Sequence, residues 1–452
     1  MVKFGRRPRL AVAAVVALAL VFTGCSGKPG QSAANAQKLT LGVAQEPQSL
    51  DAAQAQEGSS MPFFQSVFDT LIRRLPDGKL APMLATKWVV AEDGKSLTLT
   101  LRDDVKFSDG SAFDSSVVKA NLERFKSANG PQASTVRTLD SVETPDKSTA
   151  VLHLSEPNPS MPIYLSNAAG LMMSGKSLSN PDLQTKPVGS GPYTLDSAKT
   201  AVGVHYTFER KKDYWGDKLP YATIEFKVFA DQKAILNALR SGQINSAMFF
   251  NATDGKEAED AGFNYWPVEA DYMGLTIFDR AGAKLKPLGD VRVRQAINYA
   301  IDRKMLLSTF QLGRGTATEQ IWGTGSAGYD KALESTYSYD PAKAKQLLAE
   351  AGYADGFHVE MPTVPQFDPT MMAAMVQMLS DVGIRVTLKD VPFADFFSQL
   401  RQGVWPITFM RFFQPSDWQI VGQFIAPDAV WNSFHSGDDT TEQLIDKLRT
   451  AQ

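Results

Sequence analysis

The sequence predicts an α/β protein built as two large lobes or two to three domains, and three observations carry that expectation. Its 452 residues are about twice what a single hydrophobic core comfortably organises. The first half holds several period-two apolar runs, the pattern of half-buried strands. The second half alternates amphipathic helices with short strands, the rhythm of βαβ units. The chain is 43% hydrophobic and 10% aromatic, which excludes a disordered or fibrous protein. Its net charge of −3 offers no basic stripe for nucleic acid. A single Cys excludes an intrachain disulfide and a Cys-rich metal framework.

Taken in order, Lys38–Val43 alternates apolar and polar residues and is expected to be the first strand. Asp93-Gly94 sits between Trp88–Val90 and the alternating Leu97, Leu99 and Leu101, a strong hairpin signal. Thr149–Leu154, His205–Arg210 and the Ile224, Phe226, Val228 run predict further strands. A helix carrying Ile235, Leu236 and Leu239 should stop at Gly242. Val293, Ala296, Ile297, Ala300 and Ile301 fall on one helical face, with Asp290 at its start. Asp340-Pro341 opens another helix, with Leu347, Leu348 and Ala351 facing inward and Gly352 as its stop. His358–Met361, then 368–383, then Ile384, Val386 and Leu388 spell strand, helix, strand. Met371, Met372, Met375 and Met378 line that helix as a core stripe rather than a thioether site.

The N-terminus predicts export. Lys3, Arg6, Arg7 and Arg9 precede an apolar run from Leu10 to Phe22, too short to span a bilayer as a stable helix. Thr23-Gly24-Cys25 follows, then a Ser/Gly/Pro-rich stretch with the composition of a flexible tether. Cys25 sits where a bacterial lipobox places its acylated thiol, with Phe22 in place of the usual aliphatic residue. A buried structural Cys is the alternative. Arg6-Arg7 suggests twin-arginine export, but Arg9 stands where that motif wants an apolar residue, which favours the Sec route. The expected division is a signal peptide over 1–24 and a lipidated tether over 25–37.

Catalytic signatures find no support. Gly323–Gly328 matches G-x-G-x-x-G but lacks the strand before and the helix after that would make it a nucleotide loop. No Walker lysine, G-x-S-x-G elbow or H-E-x-x-H occurs. The four histidines are scattered, and Asp103-Asp104 and Asp438-Asp439 adjoin turns. No enzyme activity, cofactor or metal site is expected.

Several collinear segments resemble the solute-binding proteins of ABC importers, in the dipeptide, oligopeptide and nickel family. They are Phe68-Asp69-Thr70-Leu71, Pro82–Trp88, Leu101–Gly110, Glu156–Pro159, Gly189-Ser190-Gly191-Pro192-Tyr193 and Asp213-Tyr214-Trp215-Gly216. Asp290–Ala296, Ala300–Arg303 and Tyr339–Pro341 continue the series. The glycines and Pro192 suit a tight backbone bend, and Asp302-Arg303 suits an ion pair or cap. The resemblance implies a two-lobed periplasmic-binding-protein-like fold of type II, with a ligand cleft between lobes. It places lobe one at 38–270 with an extra subdomain near 80–183, and lobe two at 271–452. It implies capture of a peptide or peptide-like solute by hinge closure and delivery to permease subunits. The protein would be a monomer held by its lipid at the outer face of the cytoplasmic membrane.

Two departures from the family bear on ligand and stability. Peptide-binding members carry an aromatic-rich segment whose Asp pairs with the ligand's α-amino group. Here the stretch includes Arg411, Phe412, Phe413, Gln414, Asp417 and Trp418, with Gln414 or Pro415 at the anchoring position. A lost carboxylate removes the charge that would hold an ammonium group, so a simple free-amino dipeptide is not the expected ligand. Arg411 points instead to an anionic or blocked one, unless it faces solvent. Asp417 replaces the anchor if the loop shifts. Gln45 and Glu46 stand where family members approach ligand, though a surface turn fits them equally. The second departure is that family members continue beyond the position of Gln452 and return to lobe one, so a truncated product or an unclosed lobe one is expected. A metal chelate, haem or glycoconjugate receptor, or a sensor without transport, remain the competing functions.

Overall fold

Two sheets joined by one continuous hydrophobic core organise the first half of the chain, while a pair of two-stranded ribbons that share one core, with a smaller aromatic core beside it, organises the second. The computed structural model describes residues 38–450, apart from Glu57, Ser59, Asp77, Ala270 and residues 414–416. The expected signal peptide, Cys25 and its tether therefore lie outside the described residues, as does Gln414. No described helix is long and apolar enough to cross a membrane.

The first lobe is built on a five-stranded sheet ordered Ser246–Ala247, Lys38–Val43, Thr223–Val228, His205–Arg210, Tyr193–Leu195. Lys38–Val43 pairs in parallel with both of its neighbours, so the chain leaves this strand and comes back to it. Its alternation is present, but its two faces are not filled as the apolar pattern suggests. Leu39, Leu41 and Val43 are half-buried, whereas Thr40 and Gly42 are buried. The small residue admits the helix Gln232–Arg240 and the turn beyond its end: a Cβ on Gly42 would lie 2.6 Å from Ile244 Cδ1 and 3.0 Å from Ile235. A sheet covered on both faces does not need an apolar-in, polar-out code.

A four-stranded antiparallel sheet, ordered Ala85–Val90, Ser96–Leu101, Thr149–Leu154, Leu139–Asp146, extends this lobe. Its hairpin turns at Gly94, whose φ of +66° a glycine tolerates without strain. Leu97, Leu99 and Leu101 point inward as expected. The helix Ser115–Ser127 packs on the sheet, capped by Asp114, which accepts from the Ser116 and Val117 amides.

Three distant segments converge on one carboxylate. Asp69, 2% exposed, accepts from Ser190 Oγ at 2.9 Å, Tyr214 OH at 2.9 Å and Trp215 Nε1 at 2.8 Å. Burial pushes its pKa up, and the three donors and nearby Lys211 oppose that rise. The backbones close in at the same place. The Gly191 amide donates to the Val67 carbonyl at 2.8 Å, and a Cβ on Gly189 would sit 2.0 Å from that oxygen. Close approach, rather than an unusual φ, explains glycine there.

In the second lobe, Asp271–Ile277 runs antiparallel to Ile407–Phe413. Phe357–Thr363 and Ile384–Asp390 pair in parallel, with helix Pro369–Asp381 as their crossover. This is the expected βαβ unit, and all four methionines are buried in its core. Asp290, Asp340 and Asp368 cap their helices through side-chain oxygens. Val293, Ala296, Ile297 and Ala300 form the buried face of Val291–Ala300. Asp302 is also a cap, accepting from the Met305 amide at 2.9 Å. Arg303 turns away from it to Asn298 Oδ1 at 2.7 Å and the Tyr337 carbonyl at 3.3 Å.

Candidate functional site: the cleft between the lobes

Residues of both lobes line a cleft of about 2900 Å³, several times the volume of a typical small-molecule pocket. Gln45, Met61, Asn167, Gln232 and Phe250 contribute from the first lobe, and Tyr272, Phe310, Trp322, Arg411, Phe412 and Asp417 from the second. Residues 263–269 cross from one to the other along its wall.

The strand Ile407–Phe413 presents Arg411 and Phe412 to the cleft. Phe412 stacks on Phe424 at 4.2 Å between ring centroids and lies 5.1 Å from Tyr272, its register partner. Trp431 and Phe397 extend the aromatic contacts behind them. Arg411 is partly exposed to solvent but is not a bare cation. Its Nε meets Asp271 at 2.6 Å, its Nη1 donates to the Phe250 carbonyl at 2.6 Å, and its guanidinium lies over the Phe250 ring. The expectation that it attracts an anionic ligand loses its simplest basis, because Asp271 neutralises it and the Phe250 carbonyl occupies a donor.

Asp417 opens a short helix, Asp417–Ile420. It accepts from the Ser326 hydroxyl and from the Gly328 amide at 2.8 Å. It therefore holds the glycine-rich loop 323–328 against the cleft, and a ligand amine would have to share a carboxylate already engaged. The loop consists of turns, with no strand before it and no helix directly after it, the context the sequence suggested. Gln45 lines the cleft. Glu46 is not among the lining residues: it accepts from the Gly203 amide at 2.8 Å and from Tyr206 OH, bonds internal to lobe one. Burial and the Glu46 charge both push the Tyr206 phenol up. Trp418 is also outside the lining, packed with Val421, Ala426, Ala429 and Ile445. Phe413 ends the strand, in register with Asp271.

Sequence reasoning missed several lining residues. Asn167 Nδ2, both amide atoms of Gln232 and Trp322 Nε1 are buried and have no hydrogen-bond partner among the described residues. Buried polar groups normally have partners; all three residues line the cleft, while these atoms have almost no accessible surface of their own. Burial lowers the pKa of Arg303, another lining residue, although its charge is retained. Nothing local in the sequence marks an amide as unpartnered, since that depends on the tertiary packing around it.

A cleft with polar groups on both walls, between lobes joined by an extended crossover, is the architecture of a binding protein that closes on a solute. The model for bacterial extracellular solute-binding proteins, family 5 (middle region), matches residues 79–435, and the chain belongs to that family. Among curated relatives, the glutathione-binding protein GsiB of Salmonella paratyphi A is 28% identical, over 78% of this chain and 70% of its own. The dipeptide-binding protein of Escherichia coli K12 is 25% identical, over 79% and 71%. Among solved structures, the binding protein AgaA of A. tumefaciens R10, in complex with agropinic acid, superposes with a TM-score of 0.78. It is 28% identical, with 92% of this chain and 86% of that one covered. The fold is accordingly the two-lobed type II periplasmic-binding-protein fold, and the relatives are transport proteins rather than enzymes.

Proposed function

We propose that this protein captures a peptide or peptide-like solute in the cleft by lobe closure and delivers it to the permease of an ABC importer, without catalysing a reaction. The observation that carries the reading is a large cleft lined by polar side chains of both lobes, Gln45, Asn167 and Gln232 on one side and Trp322 and Asp417 on the other. A solute that bonds to both walls favours the closed state, and only such differential contact can drive closure. Amides and indoles suit the amide-rich backbone of a peptide without requiring a charged terminus.

The same proposal divides the chain into lobe one over 38–270, its subdomain near 80–183, and lobe two from 271. It places Cys25 as the lipid attachment point of an exported monomer at the membrane surface. With Asp417 engaged by its loop and Arg411 by Asp271, a simple free-amino dipeptide lacks an obvious charged anchor. The agropinic acid complex of a relative supports a non-peptide solute as the second reading. Mass spectrometry of the ligand released from freshly purified exported protein tests the first. Peptide-like masses are expected; a haem, metal chelate or sugar conjugate would replace the reading. Calorimetry with unmodified dipeptides should show weak or no binding, and tight amine-dependent binding would remove the ligand restriction.

A further inference from the structure

The crossover between lobes carries an apolar feature that hinge geometry does not require. Residues 263–269 form neither helix nor strand and contain Tyr265-Trp266-Pro267-Val268. Pro267 disfavours a helical backbone at Trp266 and favours an extended one. Trp266 and Val268 are 77% and 80% exposed, and both line the cleft. Large apolar side chains held out together on a cleft wall mark a binding groove more often than an accident of surface.

Two guanidinium groups that line the same cleft are each paired with a carboxylate and an aromatic ring. Arg411 is bound to Asp271 at 2.6 Å and covers the Phe250 ring at 5.2 Å. Arg314 is bound to Glu259 at 3.0 Å and covers the Tyr265 ring at 4.7 Å. The neighbouring aromatic rings thus carry guanidinium groups, whereas Trp266 has neither a cation nor a ring against it among the described residues. What this part of the wall offers a solute is apolar surface.

We infer that Trp266 and Val268 form an apolar subsite on the crossover, where an aromatic side chain of the solute packs against the indole. Proline and the crossover's two anchored ends hold that surface in place, so little conformational freedom is lost on contact. The inference deepens the peptide-like reading and rests on it for the identity of the solute, but the subsite itself can be tested separately.

Labelling the full chain with 5-fluorotryptophan gives one fluorine line for each of its seven tryptophans, and Trp266→Phe identifies the line of interest. N-acetylphenylalaninamide should move that line saturably, and N-acetylglycinamide should leave it in place. A line that ignores both probes, or responds alike to both, overturns the subsite. Calorimetry with the blocked peptides N-acetyl-Gly-Phe-Gly-amide and N-acetyl-Gly-Gly-Gly-amide then addresses the solute. A preference for the Phe peptide that falls about tenfold in Trp266→Ala supports the subsite and the peptide reading together. A preference untouched by that substitution overturns the subsite. Failure of both peptides to bind, while the fluorine line still answers the aromatic probe, keeps the subsite and removes the peptide. The thermal unfolding midpoint of Trp266→Ala serves as the folding control and should match that of the parent, because the side chain is exposed.

Discussion

Asp69 and Asp417 are both carboxylates that accept from groups far away in sequence, yet they do different things for the molecule. Asp69 is sealed in the first lobe, where a hydroxyl, a phenol and an indole donate to it from two other segments. Asp417 sits at the cleft wall and holds a loop of the second lobe by one hydroxyl and one amide. The residues that meet at Asp69 belong to the segments by which the chain resembles its family. Those around Asp417 and Arg411 belong to the stretch where the chain departs from it. The comparison teaches that the recognisable motifs report on a buried junction that builds the lobe, while the contacts at the cleft wall are ones that no motif predicts.

The largest effect should come from breaking the buried junction. Asp69→Ala orphans three buried donors at about 1–3 kcal/mol each before relaxation, so a loss of about 4 kcal/mol in urea unfolding is expected. Asp69→Asn keeps an acceptor and should lose roughly half as much. Gly189→Ala should also be severe, because its Cβ would meet the Val67 carbonyl at 2.0 Å and only a backbone shift can relieve that. An Asp69→Ala protein as stable as the parent would show that the three donors find other partners. By contrast, Arg411→Ala breaks a partly exposed pair, with the side chains 31% and 25% exposed, and solvent screening limits the loss to about 1 kcal/mol. Its unfolding midpoint should move far less than that of Asp69→Ala.

Much of the scaffold was legible because its signals are local. A cap and the helix it starts lie within three residues, as at Asp290, Asp340 and Asp368. The buried methionine stripe follows from helical periodicity alone. Where partners are remote, the reading weakened. Thr40 and Gly42 are buried because a helix packs over them, which the strand's own alternation does not reveal. Glu46 was placed near ligand, but its partners Gly203 and Tyr206 are more than 150 residues away (separations of 157 and 160). Asp417 was weighed as an amine anchor, and its engagement by Ser326 across 91 residues is a tertiary fact. The crossover drew no attention because it has no periodicity to detect, although Trp-Pro-Val flanked by polar residues was a usable signal.

A second pair of contacts sharpens the comparison at smaller scale. The first lobe's Glu156 meets Arg449 of the helix Asp439–Thr450 at 2.6 Å and Arg137 at 3.4 Å, while Arg137 also pairs with Asp428. These alternating charges tie the lobes together away from Asp69, with Arg137 and Asp428 open to solvent and Glu156 and Arg449 partly so. Glu156→Gln should therefore cost less than about 1 kcal/mol in unfolding. It should still enlarge the radius of gyration of the ligand-free protein in X-ray scattering, and added salt should reproduce the change in the parent. A radius insensitive to both would mean that other contacts, Arg411 with the Phe250 carbonyl and Arg314 with Glu259 among them, fix the lobes.

The smallest effect is a matter of sign. Asp290 caps the helix Val291–Ala300 and pairs with Arg292, whose hydrogen bonds hold its pKa at about 2 against an ordinary 3.8. Its proton is bound more readily in the unfolded chain, so its stabilisation is present above pH 3.8 and is lost as pH falls towards about 2. Asp69 shifts the other way because burial raises it. The folded protein binds its proton more readily, so Asp69's contribution is greatest below pH 3.8 and declines as pH rises through its folded value. Stability measured against pH should therefore separate the two. Relative to the parent, Asp290→Asn should flatten the acid limb below pH 3.8, while Asp69→Asn should flatten the slope above it. If both substitutions altered the same limb, the buried carboxylate would be ionised as readily as the exposed one, and the three donors at Asp69 would have outweighed its burial.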